Sequence, residues 1–151
     1  MFLPDARISD HIIHAGVVVD DFGATAHFYR DLLGFQEGWR GSANGKEVTY
    51  ANLCIPDSRD FVEYMVGPAK RQPHFCFEVP DVKMAKAKLE QTAYFASYGK
   101  PLEIRTGRNH KRQLNLYSPE GLRVELMEPN TVDGQPAPSS NAPLPKSKRE
   151  S

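Results

Sequence analysis

One unit is written twice in this chain. His14 to Asp21 reads HAGVVVDD and His74 to Asp81 reads HFCFEVPD. Laid over one another, four positions coincide at an offset of 60 residues (74 − 14): His14 on His74, Val17 on Phe77, Val19 on Val79, and Asp21 on Asp81. A further pair comes at an offset of 62 (125 − 63), Glu63 in DFVEYM and Glu125 in RVELME. Each copy opens with a histidine and closes with a glutamate. A repeat of this length constrains the fold more than any single motif, because both copies must build the same supersecondary unit.

All four residues sit in segments with strand character, rich in Val, Phe, Tyr and Leu and bounded by Pro, Gly or Asp. Side chains on one strand face recur at every second residue. His14 therefore shares a face with Gly16 and Val18, His74 with Cys76 and Glu78, Glu63 with Phe61 and Met65, and Glu125 with Arg123 and Met127. If the four strands curve around one cavity, two imidazoles and two carboxylates converge. Two histidines and a carboxylate are a ligand set for a divalent transition metal with open positions. A lone strand histidine is more often a hydrogen-bonded structural residue, and a lone strand glutamate more often solvated. Recurrence in phase across both copies argues for a shared metal site.

Three stretches, DHIIHAGVVVDDFGATAHFYRDLLGF, PHFCFEVPDV and NLYSPEGLRVELMEP, resemble the vicinal oxygen chelate superfamily over about residues 10–130. That superfamily holds glyoxalase I, methylmalonyl-CoA epimerase, type I extradiol dioxygenases, fosfomycin-resistance enzymes and bleomycin-binding proteins. The resemblance implies an α+β fold, two βαβββ modules forming a cup-shaped mixed sheet around a metal site. Carried over residue by residue, it puts the metal ligands on His14, Glu63, His74 and Glu125, with Glu63 and Glu125 as the candidate catalytic bases. One divalent ion per site is implied: Ni, Zn, Co, Mn or Fe. The last hairpin, usually Asp-Pro-Asp/Glu-Gly in relatives, reads Ser118-Pro119-Glu120-Gly121 here, and Ser serves the same turn role.

The branches of that superfamily differ in the chemical step after chelation. Four retained ligands match the glyoxalase-like pattern: a lyase or isomerase moving a proton next to a metal-chelated carbonyl or hydroxyl of a small substrate. The first alternative is an extradiol-type Fe(II) ring-cleaving dioxygenase. Relatives of that branch carry a catalytic Tyr four residues before the hairpin proline, and Asn115 stands there instead. Tyr117 shares its strand parity. Asn115, Gln113, Arg123 and Tyr117 are the expected substrate-binding side chains. The second alternative is a metabolite- or drug-binding resistance protein, which the retained ligands disfavour. In the family the modules pair within a chain or across a dimer, and a homodimer is expected.

Composition excludes other classes. Lys plus Arg equals Asp plus Glu at 19 each, so nothing in the bulk charge attracts nucleic acid or a membrane surface. No apolar run reaches the length of a membrane span. MFLPDARIS lacks a basic start and an apolar core, so a cytoplasmic protein is expected; an export signal removed before this numbering would leave no trace. Two cysteines, Cys54 and Cys76, do not make a disulfide scaffold.

Along the chain, module one is expected over residues 10–66 and module two over 74–128, joined by a connector at 67–73. Helices are expected at 22–33, with Asp21 before it and Gly34 after, and at 82–92. Residues 94–101 read as helix extension or loop. The run Arg105, Arg108, His110, Lys111 and Arg112 reads as a solvated hairpin tip rather than a mouth for anions. From residue 131 to 151 the chain is Pro-rich and poor in large apolar groups, so an extended or disordered tail is expected.

Overall fold

A computed structural model describes residues 7–66 and 72–146. Residues 67–71, most of the expected connector, lie outside the described residues. The chain divides into two compact units, Ile13–Phe75 with Pro138–Ser151, and Met1–Ile12 with Cys76–Ala137.

The first unit is built from β1 (Ile12–Val18), α1 (Phe22–His27), a π-helical turn (Phe28–Leu32), β2 (Gln36–Gly41), β3 (Tyr50–Cys54) and β4 (Phe61–Met65). Its strands lie in the order β2-β3-β4-β1. β1 runs parallel to β4, and β3 antiparallel to β2 and β4. The second unit is built from β5 (His74–Glu78), α2 (Val82–Glu90), α3 (Phe95–Tyr98), β6 (Ile104–Thr106), β7 (Lys111–Tyr117) and β8 (Arg123–Thr131). Its strands lie in the order β6-β7-β8-β5. The two orders are the same order, β1 answering to β5 and β4 to β8. The α+β class and the two βαβββ modules expected from the repeat are what the chain forms.

Strand alternation explains how each sheet finds its core. In β3, Ala51 and Leu53 are buried and pair across to Tyr64 and Val62 of β4. With Phe22 and Val48 they form one apolar cluster, joined by Val17, Val19, Tyr29 and Phe35. In the other unit Val79, Val82, Ala85, Leu102, Leu114 and Leu126 do the same, with Leu89, Phe95 and Tyr98 packed against them. The odd-parity residues of β7, Gln113, Asn115 and Tyr117, take the opposite face. Period 2 thus assigns one face of each sheet to its helix and frees the other for chemistry.

The repeated aspartates open the helices. Asp21 Oδ1 accepts from the Ala24 N–H at 2.9 Å, and Asp81 Oδ1 from the Met84 N–H at 2.8 Å. Each satisfies one of the first-turn donors a helix leaves without partners.

The first helix departs from its expected form. Its apolar stripe predicts one α-helix over 22–33, but the chain leaves α geometry at Phe28. The Leu33 N–H reaches back five residues to the Phe28 carbonyl at 3.3 Å. One wide turn rotates everything after it, so Phe28, Leu32 and Leu33 are 50%, 70% and 47% exposed instead of core. Residues 94–101 resolve into the short α3, ended by Gly99 in the left-handed region. β8 runs three residues past its expected end, to Thr131.

Residues 138–143 pack on the first unit. The Trp39 indole N–H donates to the Pro138 carbonyl at 3.2 Å, the Ser140 N–H to Arg40 at 2.9 Å, and the Val48 N–H to Pro143 at 2.9 Å. Proline has no N–H to donate, but its carbonyl accepts freely. An extended Pro-rich segment therefore suits an edge strand whose donors need partners. No helix among the described residues is long and apolar enough to cross a membrane.

Candidate metal centre

His14 lies on β1, Glu63 on β4, and His74 is the first residue of β5; all three belong to the first unit. β1 and β4 are in parallel register, His14 beside Phe61 and Gly16 beside Glu63. The His14 ring stacks on Phe61, with centroids 4.6 Å apart and planes at 28°. That contact holds the imidazole in place, and only 4% of His14 is exposed.

His74 is oriented from behind. Its Nδ1 stands 3.1 Å from the Gln72 carbonyl oxygen. A carbonyl only accepts, so Nδ1 carries the proton and Nε2 presents a lone pair. Fixing the far nitrogen in this way is how metal-binding histidines are set in the correct tautomer. The lone pair of His74 Nε2 points to His14 Nε2, 3.0 Å away, while Glu63 Oε2 lies 3.6 Å from it. The His74 side chain is fully buried and that of Glu63 is 17% exposed.

The three residues each offer one ligand atom, and these atoms lie within 4.8 Å of one another. Two ligand atoms held about 2.1 Å from one ion at a right angle stand roughly 3.0 Å apart. The donor set and its spacing therefore fit a divalent transition metal.

Gly16 makes this possible. A Cβ there would fall 2.0 Å from His74 Cε1 and 2.2 Å from its Nδ1. The imidazole occupies the space that any side chain at position 16 would need.

The other expected site residues share one face of β7 and β8 in the second unit. Asn115 pairs with Glu125, Tyr117 with Arg123, and Gln113 with Met127. Glu125 is 5% exposed, and the Cys76 thiol lies 3.5 Å from its Oε1. Burial pushes the Glu125 carboxyl above the usual carboxylate range, while Arg123 and Cys76 draw it partly back. Gln113 is held by the hairpin, its Nε2 at 3.5 Å from Asn109 Oδ1. Lys100 Nζ sits 4.9 Å above the Tyr117 ring.

Two residues near the expected site are surface groups. His27 is exposed and meets Asp31, whose carboxyl the Arg30 guanidinium and then His27 hold well below its usual range. In the basic hairpin, Arg105 pairs with Glu103 at 2.6 Å and Arg112 with Glu128 at 3.5 Å, as a solvated tip would.

Sequence reading missed Gly16, Gln72, Phe61 and Asn52. A signal for Asn52 was present. Asn52 faces Glu63 across β3 and β4 as Asn115 faces Glu125 across β7 and β8.

Comparison with known proteins agrees with this architecture. Methylmalonyl-CoA epimerase from Mycobacterium tuberculosis superposes with a TM-score of 0.63 at 22% identity, over 85% of this chain and 93% of its own. A variant of the Streptomyces coelicolor methylmalonyl-CoA epimerase, in complex with 2-nitronate-propionyl-CoA, gives 0.60 at 23%, over 80% and 97%. A glyoxalase/bleomycin resistance protein/dioxygenase superfamily member from Vibrio splendidus 12B01 gives 0.54 at 16%, over 76% and 95%. No curated protein sequence matches. At these identities the structures speak for the fold. The sequence model of one family matches residues 11–126, from before the first repeated histidine to just past the second repeated glutamate. The chain with this doubled βαβββ unit belongs to the Glyoxalase/Bleomycin resistance protein/Dioxygenase superfamily.

Proposed function

We propose that this chain is a divalent-metal-dependent enzyme of the glyoxalase-like type. It moves a proton next to a carbonyl or hydroxyl of a small chelating substrate, as a lyase or isomerase. The observation that carries this reading is the meeting of His14 Nε2, His74 Nε2 and a Glu63 carboxylate oxygen around one point. The structural likeness to epimerases supports the isomerase side.

When bound, a divalent ion would polarise a substrate oxygen and stabilise the negative charge that develops there. His14 and His74 would hold it through Nε2. Glu63, at the edge of the buried pair and partly open to solvent, would serve as a ligand or take the substrate proton. Glu125 enters on the repeat alone, as the counterpart of Glu63. Asn115, Gln113, Arg123 and Tyr117 line its face as neutral and cationic groups for substrate. The exposed Phe28, Leu32 and Leu33 supply an apolar patch for a homodimer.

Two histidines and one carboxylate also make up a facial Fe(II) site, so the test must separate the two chemistries. Metal content is measured on protein purified without added metal. The reconstituted enzyme is then assayed for solvent deuterium exchange at the carbon next to a thioester or 2-oxo group, and for oxygen uptake with catechols. Exchange without oxygen uptake is expected. Oxygen uptake that survives Glu63→Gln would overturn the reading.

A further inference from the structure

The first unit carries a polar rung that runs across three strands. Asn52 on β3 pairs with Glu63 on β4, and Glu63 pairs with Gly16 on β1. Residues directly opposite share a face. The His74 imidazole fills the slot above Gly16. Glu63 therefore stands between two neighbours, His74 on one side and the Asn52 amide on the other.

The Asn52 amide has an unmet need. Its Oδ1 is buried and has no hydrogen-bond partner among the described residues. An ionised carboxylate only accepts, so the oxygens of Asn52 and Glu63 cannot satisfy each other. Buried amide oxygens are nearly always paired, and one that is not calls for a donor from outside the chain. The repeat adds an independent observation. Asn115 holds the same position opposite Glu125, and its Oδ1 is likewise buried without a partner. Two equivalent positions, each facing a repeated glutamate, each present an acceptor and no donor.

We infer that Asn52 is a ligand-orienting residue of the candidate metal centre. Its side-chain carbonyl accepts a hydrogen bond from an O–H held between it and Glu63. The group that fits is a hydroxyl on the chelating substrate or a water on the ion. In the first case the substrate class narrows to molecules pairing a hydroxyl with an adjacent chelating oxygen, such as 2-hydroxy acids and enediols. A dicarboxylate has no proton to offer there. This inference rests on the metal reading of His14, Glu63 and His74.

The test uses the full chain loaded with Co(II), followed by its visible spectrum. Glycolate and oxalate are the probes. Both chelate through two adjacent oxygens, but only glycolate carries an O–H. Asn52→Leu removes the acceptor at similar volume, and Asn52→Asp keeps an acceptor in place. If the substrate hydroxyl is the donor, Asn52→Leu weakens glycolate about tenfold and oxalate by less than about twofold. If bound water is the donor, Asn52→Leu changes the spectrum and weakens Co(II) itself about tenfold before either probe is added, and both probes shift alike. In either case Asn52→Asp stays close to the wild type in its preference. Should the leucine variant fail to fold, Asn52→Ala carries the same comparison. Unchanged Co(II) affinity, spectrum and probe preference in a folded Asn52→Leu overturn the inference, as does an Asn52→Asp that behaves like the leucine variant. A wild type that takes up no Co(II) overturns the metal reading and this inference with it. A wild type that binds Co(II) while the variants show no effect overturns this inference alone.

Discussion

Gly16 and His74 exclude one another's side chains: a Cβ on Gly16 would sit 2.0 Å from the imidazole Cε1 of His74. The ring is pinned from its other edge by the Gln72 carbonyl at 3.1 Å, so it has no easy retreat. Gly16→Ala is therefore expected to displace the imidazole. The strain of such overpacking is about 1–3 kcal/mol. Metal affinity is expected to fall by more than about tenfold, and calorimetric titration with Co(II) or Zn(II) reads it. Wild-type affinity in a Gly16→Ala protein would mean that His74 is not a ligand.

Removal of one histidine tests the pair directly. His74→Ala leaves His14 and Glu63 without the atom that lies 3.0 and 3.6 Å from them. Loss of one direct ligand is expected to cost at least about a hundredfold in affinity, more than the roughly 10–100-fold typical of a residue that only orients a ligand. Equal metal content in wild type and His74→Ala after dialysis would contradict the centre.

Glu63→Gln separates binding from proton transfer. It keeps the shape and one neutral oxygen but loses the basicity. Solvent exchange is expected to slow by about 10² to 10⁴, while metal affinity changes far less. A parallel fall in both would make Glu63 a ligand alone.

Tyr64 gives a pH prediction that does not involve the site. It is fully buried, and its hydroxyl has no hydrogen-bond partner among the described residues. Burial, with Glu37 adding to it, pushes its phenol from 10.0 up to about 12. The folded chain thus keeps a proton that the unfolded chain loses near pH 10. The stability linked to this group is complete below about pH 10 and is lost as pH rises towards 12. Spectrophotometric titration at 295 nm is expected to show one phenol ionising last, absent in Tyr64→Phe. That variant is expected to be neutral or more stable by up to about 1 kcal/mol, since it discards an unsatisfied polar group.

Truncation after Ala137 tests the C-terminal segment. Val48 has no exposed surface, and its N–H donates to the Pro143 carbonyl. Leaving that donor unmet costs about 1–3 kcal/mol. A fall in melting temperature on the order of 5 °C is expected, with metal affinity unchanged. An unchanged melting temperature would show that the segment adds no stability.

The sequence by itself determined the doubled βαβββ unit, the strands bearing His14, Glu63, His74 and Glu125, and the two aspartate caps. These are legible because they rest on local rules: a period of two in strands, a capping oxygen three residues before its donor, and a repeat that fixes both copies at once. Tertiary structure decided which neighbours matter. Gly16 looked like a small residue in a strand until an imidazole from sixty residues away filled its place. Asn52 meant nothing until β3 lay against β4 and set it opposite Glu63. The exposed Phe28, Leu32 and Leu33 were legible as core only so long as the helix kept one pitch, and a single π turn moved them out. The tail's prolines read as an absence of packing because composition counts lost donors, whereas the fold used their carbonyls. Periodicity reports what a residue faces along its own strand; only the register between strands, fixed by packing over long separations, reports what it meets across them.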